Sequence, residues 1–407
     1  MANLPDDVIT NILLQLPVQS LVRFRCVCRS WKSLISGSSF VRSYLDRSFR
    51  YGENVLLKYT INGSSGLGVW PPSRHEFSSV DPSILPASDR FQLNGSCNGV
   101  ICLTTFSRID PDATFSRIDP DPNPNAAKIY LWNPSINELR VVPESHFRVS
   151  NLVGFGCDPS SGHLHDFKVV NFKTQLNFKE ILFLPSPTEV EVYSLRTNTW
   201  KQIGRIFPSG FPKHLGRQAL FREFICWCSY AYIGNLKMWT LVLFDLINEV
   251  FDEKATPESI LCIEQYITTL QGCLSILAYN CSYEYEVWIM KEFGDAESWT
   301  KLYTIDIPEK LARYTPLGFA GRDEVVFAKI HKLQRGNDRT LLASYNMRSK
   351  AFEGSHLRVD SFSSCCMVSY VESLVSVVLG NAAPTQPLSR LSGNGYRSIA
   401  RKNGPKD

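Results

Sequence analysis

Three groups of residues in this 407-residue chain have types that could hold a metal or act on a substrate. Cys26 and Cys28, like Cys226 and Cys228, form Cys-x-Cys pairs, and Cys365 and Cys366 are adjacent. Structural zinc sites use Cys-x-x-Cys, whose spacing lets one turn bring both thiolates onto the ion. None of the three has it, and all read as thiols packed in helix or strand cores. His163 and His165 would share one face of a strand, as a metal site could use. No third ligand stands near them, and they read as a polar turn edge. Two Asp-Pro-Asp units, at 110–112 and 119–121, belong to a segment, Thr105 to Asp112, that recurs unchanged as Thr114 to Asp121. Acidic, proline-containing spacing of this kind suits an exposed loop better than a cation site. No phosphate-binding glycine loop, nucleophile elbow or His-Glu-x-x-His helix is present. Acids beside the strand-like runs, such as Glu138, Glu249 and Asp252, are expected in turns. The chain is therefore expected to bind rather than catalyse, with no catalytic residue, metal ligand or cofactor site.

The composition is that of a folded protein: 44% apolar and 20% charged. Its length suits two domains better than one. A net charge of +4, from 43 Lys and Arg against 39 Asp and Glu, does not mark a nucleic-acid or membrane binder. The most apolar stretch, Cys365 to Gly380, is interrupted by Glu372, so no membrane span is expected. The first seven residues carry two acids and no basic run, so no secretory signal is read there, and the twelve cysteines are expected to be reduced. A cytoplasmic or nuclear location, or both, is the expectation.

Residues 3–46 have helical periodicity. Leu4, Val8, Ile9, Ile12, Leu13 and Leu16 make one apolar stripe, with Pro5 in the first turn and Asp6 and Asp7 at the positive end of the helix dipole. Pro17 ends that helix. A second stripe runs through Leu21, Phe24, Val27, Trp31, Leu34 and Ile35. A short third helix holds Phe40, Val41, Tyr44 and Leu45. Three short helices bury too little to stand alone, so the block must dock on the rest of the chain or bury a face in a partner.

The run from Leu4-Pro5-Asp6-Asp7 through Leu16-Pro17, Leu21 and Val27-Cys28 to Trp31 resembles the F-box motif, with Asp6-Asp7 where the family often has Glu. The resemblance implies a three-helix F-box over 1–48 that binds the Skp-type adaptor of a Skp–cullin–F-box ubiquitin ligase, and through it cullin and the RING subunit. It would place Leu4, Pro5, Ile9, Leu13, Leu16, Pro17, Leu21 and Val27 on the adaptor-facing surface, with Trp31 closing the helical core.

From residue 52 onward short β-branched and aromatic runs alternate with turn residues. An aromatic ends a strand-like run, a polar turn follows, and a large apolar residue stands seven positions later: Trp132 to Leu139, Tyr193 to Trp200, Phe244 to Phe251 and Tyr345 to Phe352. A looser copy leads from Val287-Trp288-Ile289-Met290 to Trp299. Strand repeats of about 50 residues argue for an all-β propeller rather than a sandwich, here of about six blades. One blade could join strands near Val55–Tyr59 or Phe91–Leu103 to the last strands at Met367–Leu379.

Asn94 to Leu103, Leu131-Trp132-Asn133-Pro134, Val153 to Asp158, Val192 to Leu195 and Phe244-Asp245-Leu246 resemble the F-box-associated, kelch-like domain of a large plant family. That family includes the F-box proteins of self-incompatibility loci. Kelch repeats proper carry an adjacent glycine pair, which this sequence lacks. Gly216 to Phe221 likewise lacks the Asn-Gly that usually precedes the family's Trp, here Trp227. The expected organisation is an α+β chain: F-box at 1–48, substrate-binding propeller at 52–380, flexible basic tail at 381–407. The expected role is the non-catalytic substrate receptor of a ubiquitin ligase, tethering a protein target through its propeller loops. Two other readings are an adaptor-independent propeller scaffold, whose helices pack on its own blades, and a propeller hydrolase.

Overall fold

The computed structural model describes residues 5–378 apart from 52–53, 62–63, 71–77, 81–89, 107–126, 148, 150–151, 174–187, 207–216, 234–235, 258–261, 309–311, 332–338 and 361–364. The tail expected at 381–407 and most of the duplicated Asp-Pro-Asp segment lie outside the described residues.

The amino-terminal block has four helices where three were expected: α1 Asp6–Leu14, α2 Val18–Phe24, α3 Arg29–Ser36 and α4 Ser38–Tyr51. Pro5 and Pro17 are the extended residues that start α1 and α2, as a fixed φ favours. The second apolar stripe is continuous, yet the chain breaks at 25–28. Cys26 and Val27 turn tightly back onto Arg23 and Phe24, and Cys28 becomes extended. The Cys28 sulfur then accepts from the Trp31 amide at 3.4 Å and caps α3. Cys26 and Cys28 are accordingly exposed rather than core thiols, whereas Cys226, Cys228 and Cys365 are buried.

The remaining strands form six four-stranded antiparallel sheets. Blade I is Asn54–Ile61, Ser64–Trp70 and Ser78–Val80, completed by Cys366–Tyr370 from the far end of the described chain. Val55 faces Ser369 across that closing seam. Blade II is Arg90–Cys97, Val100–Phe106, Lys128–Asn133 and Glu138–Val141. Blade III is Val153–Cys157, Phe167–Phe172, Thr188–Ser194 and Thr199–Ile206. Blade IV is Ala219–Phe221, Phe224–Ile233, Leu236–Asp245 and Val250–Ala255. Blade V is Cys262–Leu270, Cys273–Asn280, Glu284–Met290 and Trp299–Asp306. Blade VI is Ala312–Ala320, Glu324–His331, Arg339–Asn346 and Ala351–Val359. Of the two closures open to the sequence, the chain uses the strand near Val55–Tyr59. Phe91–Leu103 belongs to a separate blade, and 371–377 is not strand.

The seven-residue repeat has a structural cause. Each pair is a cross-strand neighbour flanking the turn between the third and fourth strands: Trp132 faces Leu139, Tyr193 faces Trp200, Phe244 faces Phe251 and Tyr345 faces Phe352. The residue five after the aromatic is left-handed in all four, at Asn137, Asn198, Glu249 and Lys350, with φ between 53° and 57°. Asn133, Asp245 and Asn346 each accept a turn amide on their side-chain oxygen. Met290 faces Trp299 in the looser copy. The outer ends of these turns are not all where the acids were expected: Glu249 is in its turn, Glu138 opens a strand, and Asp252 lies within one.

One turn is sterically demanding. Asn98-Gly99 joins the first two strands of blade II with both residues left-handed, at φ 52° and 79°. A Cβ on Gly99 would stand 2.6 Å from the Val371 carbonyl oxygen and 2.4 Å from Ser373 Oγ. Gly99→Ala is expected to cost about 2 kcal/mol or more, since the conformation and the backbone contact are both unfavourable. Denaturant titration of the two proteins measures it.

Candidate functional site

In an antiparallel blade the turns joining strands one to two and three to four fall on one face, and the others on the opposite face. The helical block meets the first of these faces. Arg42 Nη2 donates to the Gly162 carbonyl, between the first two strands of blade III, at 2.6 Å. Phe49 and Arg50 of α4 line the channel mouth together with the turn residues Asn98, Gly99 and Gly272. Half-buried Arg25 has its pKa lowered by burial, an effect opposed by Glu138 at the blade II turn. The helices thus close over one mouth of the channel.

A strap formed by residues 371–377 seats the helices. Asn133 Nδ2, wholly buried, donates to the Ser373 and Val375 carbonyls at 3.2 and 2.8 Å. Glu138 Oε2 accepts from Ser376 Oγ at 2.6 Å and from the Val377 amide at 3.1 Å. Leu374, Val375 and Val377 then share one continuous apolar cluster with Leu13, Leu21, Ile35, Phe40 and Tyr44. This is the packing the short helices could not supply themselves. His163 and His165 lie in a turn, as expected, and His165 Nδ1 contacts the Ser376 carbonyl at 3.0 Å. The α4 helix also ties down the end of α1: Arg47 donates to the Leu14 carbonyl, and Tyr44 OH donates to that of Leu16 at 3.3 Å. Burial, reinforced by Glu372, pushes the Tyr44 hydroxyl up to about 12.

The eight residues expected on the adaptor-facing surface divide. Leu4 lies outside the described residues. Pro5 and Pro17 are exposed, Ile9 and Leu16 are half-buried, and Val27 is 62% exposed. Leu13 and Leu21 are only 2% and 0% exposed and belong to the shared core. Two apolar residues outside that group are open on α1, Val8 at 37% and Ile12 at 51%. Their signal was present: at 100° per residue, Val8, Ile12, Leu16, Ile9 and Leu13 sweep an arc of about 140°, wider than one packing face needs. The Leu13 side of the arc turns inward and the Val8–Ile12 side is left over. Trp31 is half-buried, packs on the shared cluster and stands 5.3 Å from Phe24.

The channel encloses about 1400 Å³ between the inner strands. Arg217 crosses it from blade IV, donating to the Pro316 carbonyl and lying 4.8 Å from the Tyr266 ring. Among the described lining residues the carboxylate is Asp323, paired with Arg348 at 2.6 Å. No group of three or more His, Cys, Asp or Glu that could hold a metal occurs among the described residues. No described helix is long and apolar enough to cross a membrane.

Comparison with known proteins agrees with this architecture. Residues 1–43 match the F-box domain model, and residues 123–377, more than half the chain, match the F-box associated beta propeller domain. The chain belongs to the F-box associated beta propeller family. An F-box/kelch-repeat protein of Arabidopsis thaliana is 29% identical to this F-box propeller protein over 321 residues, covering 74% of this chain and 79% of the relative. The F-box protein CPR1 of the same plant is 29% identical over 408 residues, covering 93% and 90%. Proteins of the F-box family are in general substrate adaptors rather than enzymes, and the role of a substrate-recognition subunit is consistent with both domains.

Proposed function

We propose that this chain is the substrate-recognition subunit of a Skp–cullin–F-box ubiquitin ligase, acting in the cytoplasm, the nucleus or both. The observation that carries the reading is the set of apolar side chains that the F-box helices leave exposed, Val8, Ile12 and Val27 with Pro5 and Pro17. A chain that merely packed its helices on its own blades would have no use for it. The Skp-type adaptor covers these side chains and links the chain to cullin and the RING subunit. Leu13 and Leu21 act from beneath, holding the helices in place. The connections on the opposite propeller face take the protein target, because loops on a rigid scaffold are the part free to vary. The rate gain is one of proximity: target and ubiquitin thioester share one assembly at high effective concentration, and this chain donates no catalytic group. Ubiquitinated targets then pass to the proteasome. The finer resemblance to self-incompatibility F-box proteins makes the ribonucleases of that system one target class to test.

The test is capture of recombinant Skp-type adaptor and cullin by the purified full-length chain. Stoichiometric capture is the expected result. A folded chain that fails to retain the adaptor would favour the self-contained scaffold instead.

A further inference from the structure

Cys97 and Cys157 end the inner strands of blades II and III, and both line the channel at the mouth beneath the helices. Their sulfurs stand 3.1 Å apart and both thiols are free. An approach of about 1 Å would bring them to disulfide bonding distance. Cys97 is buried, while Cys157 is partly open toward the channel. Asn98 Nδ2 donates to Cys157 Sγ at 3.4 Å. The Cys97 S–H also points its hydrogen bond at Cys157, and this bond, ahead of the opposing effect of burial, holds the Cys157 thiol below its ordinary pKa. The same bond, with burial, raises the Cys97 thiol. The pair thus combines an accessible, thiolate-prone sulfur with a resolving sulfur already in contact. Cys102 and Cys226, by contrast, are fully buried thiols pushed up by desolvation.

We propose that Cys97 and Cys157 form a dithiol that hydrogen peroxide oxidises to a disulfide joining blades II and III. The Cys157 thiolate attacks one peroxide oxygen, the O–O bond breaks, and the departing hydroxide takes up the proton Cys157 had released, leaving as water. The Cys97 sulfur then attacks the sulfur of the Cys157 sulfenic acid. Its S–O bond breaks, and the second hydroxide leaves with the Cys97 proton as another water. Two thiols lose two electrons in all, and one peroxide becomes two waters. The bond closes a loop between residues 60 apart and staples the rim on which the F-box helices and their strap sit. Oxidation should therefore stiffen the seat of the helices without touching the exposed Val8–Ile12 edge.

The experiment treats the reduced full-length chain with stoichiometric hydrogen peroxide, blocks remaining thiols and maps tryptic peptides without reduction. The expected product links the peptide starting at Phe91 to the one starting at Val149, with fragmentation placing the bond on Cys97 rather than Cys102. Cys102→Ser should leave the link intact, and Cys157→Ser should abolish it. The oxidised wild type should melt roughly 5 °C higher than the reduced form, an increment absent from Cys157→Ser. Because the wild type alone supplies the map, the result does not depend on a variant folding. Peroxide-treated protein in which Cys97 and Cys157 stay unlinked, whether unmodified, separately oxidised or bonded to other cysteines, overturns the proposal.

Discussion

Replacing Ile12 and Val27 together by Asp is expected to weaken capture of the Skp-type adaptor by 100-fold or more and to leave the melting curve where it was. Both side chains are more than half exposed in the free chain, so a charge there meets water and changes folding by no more than about 0.5 kcal/mol. In the complex each would lose an apolar burial worth about 1.5–3 kcal/mol and place a carboxylate in a dry interface. Two such losses exceed about 3 kcal/mol, which corresponds to more than a hundredfold in affinity. Leu13→Ala and Leu21→Ala behave differently. They empty the shared core and cost about 2–5 kcal/mol of stability, and any loss of binding follows from loosened helices. Titration calorimetry against the adaptor, beside thermal melts of all variants, separates the two effects. Undiminished affinity of a well-folded Ile12→Asp/Val27→Asp chain would remove these side chains from the interface.

Lys168→Ala should destabilise the propeller by about 3 kcal/mol, because buried Asp158 loses its ion-pair partner while Glu249 keeps only the exposed Lys201. Lys168 lies between blades III and IV, its ammonium 3.2 Å from Asp158, 3.1 Å from Glu249 and 2.5 Å from the Leu246 carbonyl, and its side chain is only 8% exposed. Burial opposes ionisation of Asp158, but hydrogen bonds from Ser160 and Lys168 outweigh it and hold that carboxyl below its usual range. Glu249 is likewise lowered, with the lysines at 201 and 168 overcoming its burial. Carboxyls with depressed folded-state pKa values contribute stability that is complete above their unfolded values, about 4, and is lost as pH falls through the lower folded values. The wild type should therefore lose stability below about pH 4 more steeply than Lys168→Ala, in which that linkage is weakened. Lys168→Met separates packing from charge: it restores the stem but not the ammonium, and should recover little. Chemical denaturation between pH 3 and pH 7 measures both, and a Lys168→Met protein as stable as wild type would assign the effect to packing instead.

What could be read from the residues alone were features set by local geometry. The aromatic-to-apolar spacing of seven was visible because a turn with one left-handed residue always brings those two positions face to face. Pro5 marked a helix start and Pro17 a helix end for the same local reason, a fixed φ and a missing donor, and the structure adds that Pro17 also opens α2. Other features depended on contacts between residues far apart in the chain. The break between α2 and α3 carries no Gly or Pro; it rests on the Cys28 cap and on packing against α4 and the strap. Closure through Asn54–Ile61 and Cys366–Tyr370 joins strands some 300 residues apart, and no periodicity distinguishes it from the alternative. The surface residues show the division most directly. The sequence alone determined that α1 has more apolar surface than one packing face requires, since that follows from 3.6 residues per turn. Only the tertiary structure decided that Leu13 and Leu21 face the strap while Val8, Ile12 and Val27 face water, and that Cys97 touches Cys157, because each depends on which blade lies beneath which helix.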